Sequence, residues 1–150
     1  MRFISLLFIL SCLVFSCSLS AKQERTLNKN LGLYVQAIQS KSILVEASMT
    51  HPCFLKHIKS KGDEYFTNFF QNNEEELVFF DPRINKIQSQ KETIHVLYSI
   101  QKEFIYRGEN KEDSTCFVAI SEDDGESWFF VRRGMYLNEK ICTEIPRLLK

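Results

Sequence analysis

The chain has 150 residues, of which 44% are hydrophobic and 13% aromatic, with 13 Phe among them. This length fits one domain, since domains commonly contain about 100–150 residues, and so apolar a composition excludes an intrinsically disordered chain. Lys plus Arg and Asp plus Glu number 19 each, and this balance argues against binding to nucleic acid or to an anionic membrane surface. We expect one folded domain whose interior is filled by large aromatic side chains.

Residues 1–20 have the pattern of a signal peptide. Arg2 precedes an apolar stretch that runs from Phe3 to Ser16, and small residues follow before the chain becomes polar at Lys22. The apolar stretch is shorter than the roughly 20 residues that a membrane-spanning helix needs. We therefore predict export, with cleavage near Ser20 and a mature protein that is periplasmic, secreted or lipid-anchored to a bacterial envelope.

The segment Val14-Phe15-Ser16-Cys17 resembles a bacterial lipobox, in which the Cys is lipidated and becomes the first mature residue. Phe15 departs from the small or β-branched residue usual at that place, so lipidation at Cys17 and plain secretion both stay open. An uncleaved membrane anchor is the least favoured outcome. Contact with a membrane is expected only through such a lipid.

Three cysteines remain beyond the leader: Cys53, Cys116 and Cys142. In an oxidising compartment one pair can form a disulfide and one thiol is left over, and the sequence leaves that pair undetermined. Cys53 lies between His51 and His57, but a fourth ligand is not evident. We therefore predict no metal site and no cofactor.

The first half of the chain predicts helices. Residues 21–30 are polar and are interpreted as a linker or a frayed helix start, so that the domain spans residues 31–150. Apolar residues then recur at three- and four-residue spacing. A second helix ends at His51, because Pro52 disfavours helix in the residue before it, and Asp63 can cap a third. The residues predicted to share one helix face are Leu31, Tyr34, Val35 and Ile38 in the first helix and Tyr65, Phe66, Phe69 and Phe70 in the third, and those predicted to face inward in the second helix are Ile43, Leu44, Ala47 and Met49.

The second half predicts strands. In residues 93–100 the apolar side chains alternate, with Tyr98 on the main apolar face and His95 on the opposite, presumed outward, face. Residues 108–114 read as a polar loop, and Leu137 to Leu148 as a final helical segment interrupted by Pro146. The other predicted strands cover residues 77–80, the region of 84–87, residues 115–120 and residues 127–132. Helices followed by strands predict an α+β fold, with helices packed on one face of a curved antiparallel sheet.

A tight hairpin turn is predicted at residues 121–128. Its spacing of Ser121, Asp123, Gly125 and Trp128 resembles the Asp box of sialidase propellers. A propeller needs a copy in each blade of roughly 40–50 residues, and this chain has one copy. We interpret the turn as structural: Asp123 binds backbone amides, Gly125 takes a positive φ, and Trp128 folds back on the hairpin.

Several short segments together resemble small exported bacterial proteins of the NTF2-like (SnoaL-like) superfamily. They are residues 34–43, the step Thr50-His51-Pro52, residues 61–66, the 119–128 hairpin and Glu144-Ile145-Pro146. The resemblance covers most of residues 27–150 and implies a cone-shaped half-barrel that often encloses a pocket. Members of the superfamily include isomerases, dehydratases and ligand-binding modules, so the resemblance does not transfer a function.

Enzymes of that superfamily place an Asp, His or Tyr inside the cone as acid or base. The residues that could serve here are His51, His57, His95, Tyr98, Asp63 and Asp81. Acid–base catalysis needs two such groups to converge, and nothing in the sequence brings two together; a His beside Pro52 more readily caps or packs a helix junction. We therefore assign no catalytic residue.

The expected function is that of a non-enzymatic, exported binding module. Its partner would be a small apolar ligand or a protein of the cell envelope. The alternative is a small isomerase, dehydratase or hydrolase that uses a His or Asp acid–base group in the cone. An open cavity in which two titratable side chains meet would favour the enzyme.

Overall fold

The structure is a computed structural model, and it describes residues 18–149. Most of the predicted signal peptide, including Cys17, lies outside the described residues. Four helices precede four strands, which confirms an α+β fold. The strands form an open antiparallel sheet in the order β1-β2-β3-β4. The elements are α1 (Ala21–Gln39), α2 (Ile43–Met49), α3 (Pro52–Lys59), α4 (Asp63–Phe70), β1 (Glu75–Gln90), β2 (Thr93–Tyr106), β3 (Glu109–Ser121), β4 (Phe129–Arg132) and α5 (Arg133–Tyr136).

Helix α1 begins ten residues earlier than the sequence indicated. Residues 21–30, interpreted as a linker or a frayed helix start, are helical and form its first half, because Ser20 and Gln23 make a reciprocal capping box. The Gln23 amide donates to Ser20 Oγ at 3.2 Å, and the Ser20 amide donates to Gln23 Oε1 at 2.8 Å. These bonds satisfy amide groups that a helix start otherwise leaves unpaired. Leu27, fully buried, then continues the apolar stripe of Leu31.

The main core lies between α1 and one face of the sheet. The predicted inward stripe of α1 is confirmed: Leu31, Tyr34 and Ile38 are buried and Val35 packs beside them. Tyr34 stacks on Phe130 with ring centroids 4.6 Å apart and meets Phe117 edge to face. The strand residues of this core are Ile94, Val96, Tyr98, Ile100, Phe117, Ala119 and Phe130.

The opposite face of the sheet is buried as well, which the sequence did not indicate. Strand residues Val118, Ile120 and Val131 pack there against α3, α5 and the chain after α5. The covering residues are Phe54, Tyr136, Ile141, Cys142, Ile145 and Leu149. The predicted helix at residues 137–148 is wrong: α5 stops at Tyr136, and Cys142 has a positive φ of 53° that a continuing helix excludes.

Two strands are longer than predicted. Strand β1 runs through Asp81 and Pro82, where the pairing with β2 shifts register and Asp81 takes a φ of 50°. A proline is tolerated there because β1 is an edge strand. Strand β3 includes residues 109–114, because Arg107 and Gly108, with φ of 53° and 79°, make a two-residue hairpin turn.

The prediction for α2 was wrong at Leu44, whose side chain is 79% exposed. Ile43 and Ala47 pack inward as expected, and Met49 reaches the main core. Glu46, three residues after Ile43 on the same side of the helix, is also buried. A carboxyl group thus occupies part of the inner face of this short helix.

Candidate functional site

An open cleft of about 570 Å³ lies between α1 and the strands β1 and β2, and we call it the α1–β1 cleft. Small-molecule sites typically have volumes of about 300–1,000 Å³ and mostly apolar walls. The polar lining residues are Glu24 and Asn28. Tyr98 contributes an aromatic ring with a hydroxyl group, and the other lining residues are Leu31, Gly32, Val35, Phe79, Phe80, Pro82, Ile84 and Ile100.

Two local features leave this cleft open. Gly32 of α1 carries no side chain, and a Cβ at that position would have no neighbour within 4 Å. Phe80 and Ile84 on the edge strand are 40% and 41% exposed, respectively, so apolar surface remains uncovered. Apolar surface that faces a concave space, rather than a neighbouring element, is typical of a ligand site.

Tyr98 supplies the buried polar group of the cleft. It is 2% exposed, it lies on the main apolar face of β2 as predicted, and its hydroxyl has no hydrogen-bond partner among residues 18–149. Burial, and then the negative charge of Glu24, raise the pKa of Tyr98 above its ordinary value. The phenol therefore stays protonated at physiological pH and can donate a hydrogen bond into the cleft.

His51 lies at the junction of α2 and α3 and not in the cleft. It is the N-cap of α3, where its Nδ1 accepts a hydrogen bond from the Cys53 amide at 3.3 Å, so the predicted capping role is confirmed. Its Nε2 contacts Glu122 Oε2 at 3.2 Å, and its own amide donates to the Phe130 carbonyl beside β4. Burial lowers the pKa of His51, although Glu122 acts in the opposite direction.

His95 points to the opposite face from Tyr98, as the alternation predicted, but it is not outward. Its exposure is 0%, because α5 and the C-terminal residues cover that face. Nδ1 lies 2.7 Å from the Tyr136 hydroxyl, which also accepts a hydrogen bond from the Leu149 amide. His95 and Tyr98 are therefore on opposite sides of one sheet and cannot act on the same small molecule.

The remaining acid–base candidates do not line the cleft. His57 lies half-buried on α3, Asp63 is exposed at the start of α4, and the exposed Asp81 pairs with Arg83 on β1. In the part of the chain that the structure describes, no three His, Cys, Asp or Glu side chains are grouped so as to hold a metal ion.

The disulfide that the sequence left open joins Cys53 on α3 to Cys142 beyond α5. Cys116 on β3 keeps a free, half-buried thiol. The disulfide joins the chain segment after α5 to α3, and both pack on the face of the sheet that holds His95. Its partners are 89 residues apart in the chain, which is why spacing alone did not identify them.

The turn at residues 121–128 is closed by its own side chains. Ser121 Oγ accepts the Gly125 amide at 2.8 Å, and Asp123 Oδ1 accepts the Ser127 amide at 2.9 Å. Burial raises the pKa of Asp123, but hydrogen bonds from Ser127 and Ser121 together bring it below its ordinary value. Gly125 has a φ of 84°. These residues hold the turn, and none of them lines the cleft.

Glu24 and Glu46 were not among the residues predicted from the sequence. Glu24 lay in the presumed linker, where no face was assigned. Glu46 follows Ile43 by three residues and precedes Ala47, so it falls within the inward stripe predicted for α2. A carboxyl group on an otherwise apolar helix face was the signal that could have identified it.

Comparison of the chain with protein-family models, with curated proteins and with solved structures found no match. Among residues 18–149, no helix is long and apolar enough to cross a membrane. We therefore infer the function from the cleft and from the side chains that line it.

Proposed function

We propose that the protein is an exported binding module that holds a small, mostly apolar ligand in the α1–β1 cleft. The observation that carries this proposal is Tyr98, which lines the apolar cleft and whose buried hydroxyl has no hydrogen-bond partner in residues 18–149. A buried polar group left unpaired costs about 1–3 kcal/mol. A ligand with a carbonyl or ether oxygen would accept its hydrogen bond while the rest of the molecule contacts Val35, Phe79 and Ile100.

We propose further that the domain belongs to the NTF2-like superfamily. Helices that precede an antiparallel sheet, with α1 against one face and a cleft between them, support this assignment. Export is supported by the leader pattern and by the Cys53–Cys142 disulfide, because disulfides persist mainly in oxidising compartments. Lipidation at Cys17 would hold the module at the envelope surface.

A second candidate function is an enzyme that uses the same cleft. It is favoured by one observation, that Glu24 also lines the cleft and its charge acts on Tyr98. A carboxylate and a phenol could then serve as base and acid. The raised pKa makes the Tyr98 phenol a weaker acid for proton transfer but leaves it able to donate a hydrogen bond, so binding remains the first proposal.

The solvatochromic dye Nile red tests the binding site, because it is apolar and carries a carbonyl acceptor. We expect saturable fluorescence enhancement with the purified protein. Gly32→Phe should abolish it by filling the cleft without a clash at its Cβ. Tyr98→Phe should weaken binding by about tenfold or less, the effect of one hydrogen bond, and leave the melting temperature equal or higher.

Leu33→Phe is the matched control, because Leu33 is 47% exposed on the same helix and does not line the cleft. It should bind the dye as the wild type does. Equal binding by the wild type and Gly32→Phe would exclude the cleft as the site. Turnover of a carbonyl substrate that Glu24→Gln abolishes, with dye binding retained, would favour the enzyme.

A further inference from the structure

A second, smaller cavity of about 200 Å³ lies where the helices meet the middle of the sheet, and we call it the Glu46 cavity. Its apolar walls come from α1, the end of α4, β1 and β3. They are Ile38, Phe70, Phe79 and Phe117. Phe79 also lines the α1–β1 cleft, but the charged residues of the Glu46 cavity do not line that cleft.

Glu46 is the unusual group in this cavity. Its side chain is 3% exposed, and its Oε1 atom has no hydrogen-bond partner in the described chain. A buried carboxylate without hydrogen bonds is costly, so such groups are normally paired or bind something. Burial raises the pKa of Glu46 to about 7, although Arg132 acts in the opposite direction. Arg132 is thus the charged neighbour of the carboxyl group, at a distance that leaves Oε1 without a hydrogen bond from the described chain.

Arg132 has the complementary need. Its Nη2 lies 3.6 Å from Glu46 Oε1, which is a loose charge contact and longer than a hydrogen bond. The guanidinium stacks over the Phe69 ring at 4.6 Å and is 46% exposed. A guanidinium presents five N–H donors in a planar fork that suits a carboxylate. Arg132 can thus engage an acceptor without leaving Glu46.

The other charged residues of the cavity exclude a simple ion as the preferred ligand. Lys102 and Glu74 also line it, and they form a direct ion pair with each other. When Glu46 is ionised, which a bound ammonium group favours, the cavity contains two cations and two anions, and a lone cation or a lone anion then meets repulsion as well as attraction. A molecule that carries both charges meets a partner at each end.

We propose that the Glu46 cavity binds a small zwitterion of the α-amino-acid type, with its ammonium group on Glu46 and its carboxylate on Arg132. The ammonium supplies the donor that Oε1 lacks, and the carboxylate accepts from the guanidinium fork. The modest volume and the Phe70, Phe79 and Phe117 walls select a short apolar side chain, such as that of alanine. This site is independent of the ligand proposed for the α1–β1 cleft.

The test is a titration of the isotope-labelled protein with alanine, followed by amide NMR shifts of residues around the cavity. Parallel titrations use methylammonium, acetate and acetamide, which carry the cation alone, the anion alone and neither charge. We expect saturable shifts with alanine and about tenfold weaker binding of each of the other three, since each lacks at least one charge-assisted contact.

Two variants remove the ends of the site separately. Glu46→Gln and Arg132→Gln should each weaken alanine binding by about tenfold, and both should fold, since one removes a buried charge and the other alters a half-exposed side chain. Arg133→Gln is the control, because Arg133 is exposed and does not line the cavity. Gly32→Phe should also leave alanine binding unchanged.

Three results would overturn the proposal. The first is the absence of saturable shifts with alanine at millimolar concentration. The second is acetate binding as strong as alanine binding and unaffected by Glu46→Gln, which would reduce the site to an anion contact at Arg132. The third is acetamide binding as strong as alanine binding, which would assign the cavity to neutral amides.

Discussion

The indole of Trp128 donates a hydrogen bond to Thr26 Oγ1 at 3.1 Å, and so joins the last hairpin to the first helix across 102 residues. Thr26 Oγ1 donates in turn to the Gly125 carbonyl at 2.7 Å, which also accepts from the Trp128 indole. The Gln23 side chain donates to the carbonyl and carboxylate of Asp124. The turn at residues 121–128 therefore holds the N-terminal half of α1 against the sheet.

Replacement of Gly125 tests this attachment. Gly125 has a φ of 84°, and a Cβ there would lie 2.5 Å from Gln23 Cγ. We expect Gly125→Val to lower the free energy of unfolding by about 1 kcal/mol or more, because both the backbone and the packing against α1 are strained. Thermal unfolding measures the effect.

Gly134→Val is the control for that substitution. Gly134 lies in α5 without a positive φ, and a Cβ there would have no neighbour within 4 Å. Its melting temperature should stay closer to that of the wild type. A Gly125→Val protein that melts with the wild type would contradict the assigned role of the turn.

His95 should contribute a loss of stability in mild acid, whereas Glu46, whose pKa burial raises to about 7, contributes in the opposite direction over an overlapping pH range. Burial, and then the charges of His51 and Arg147, lower the pKa of His95 from 6.5 to about 4. As pH falls, the unfolded chain binds the proton first, so the free energy of unfolding decreases between about pH 6.5 and pH 4. The loss from His95 amounts to about 3 kcal/mol. His51, whose pKa is also lowered, acts in the same direction.

Denaturant unfolding from pH 7 to pH 4 checks this prediction. The free energy of unfolding of His95→Leu, measured relative to that of the wild type, should rise as the pH falls over that range, because Glu46 titrates in both proteins. His57→Gln provides the control, because His57 is half-buried on α3 and makes no contact in the His95–Tyr136 pair. Parallel pH profiles for the wild type and His95→Leu would show that His95 is not the responsible group.

The Cys53–Cys142 disulfide should stabilise the cover over the second face of the sheet. It closes a loop of 89 residues in sequence separation, and removal of a native disulfide typically costs about 2–5 kcal/mol. We expect the free energy of unfolding of the Cys53→Ser, Cys142→Ser double variant to be lower by that amount. The variant should therefore unfold at a lower denaturant concentration. The wild type should match it only after reduction.

Cys116→Ser is the control for the thiol chemistry, since Cys116 is unpaired. It should unfold as the wild type does, with and without reducing agent. Intact-mass measurement before and after reduction reports the disulfide directly and also locates the mature N-terminus relative to Cys17. A wild type that keeps its stability under reducing conditions would contradict the role given to the pair.

The sequence alone determined the features that depend on local pattern. The spacing of Leu31, Tyr34 and Ile38 predicted one face of α1, and the alternation around Tyr98 predicted which strand residues share a face. His51 before Pro52 predicted a helix junction, because both act on adjacent backbone. These effects need no knowledge of distant segments.

Only the tertiary structure decided what lies opposite each face. His95 was correctly placed across from Tyr98, but its burial depends on the residues after α5, which pack on that face through contacts distant in sequence. The partner of Cys53 is likewise set by that packing. Glu46 and Arg132, and Tyr98 with Gly32, converge on two cavities because α1 and α2 dock on the sheet, and no local pattern encodes that docking.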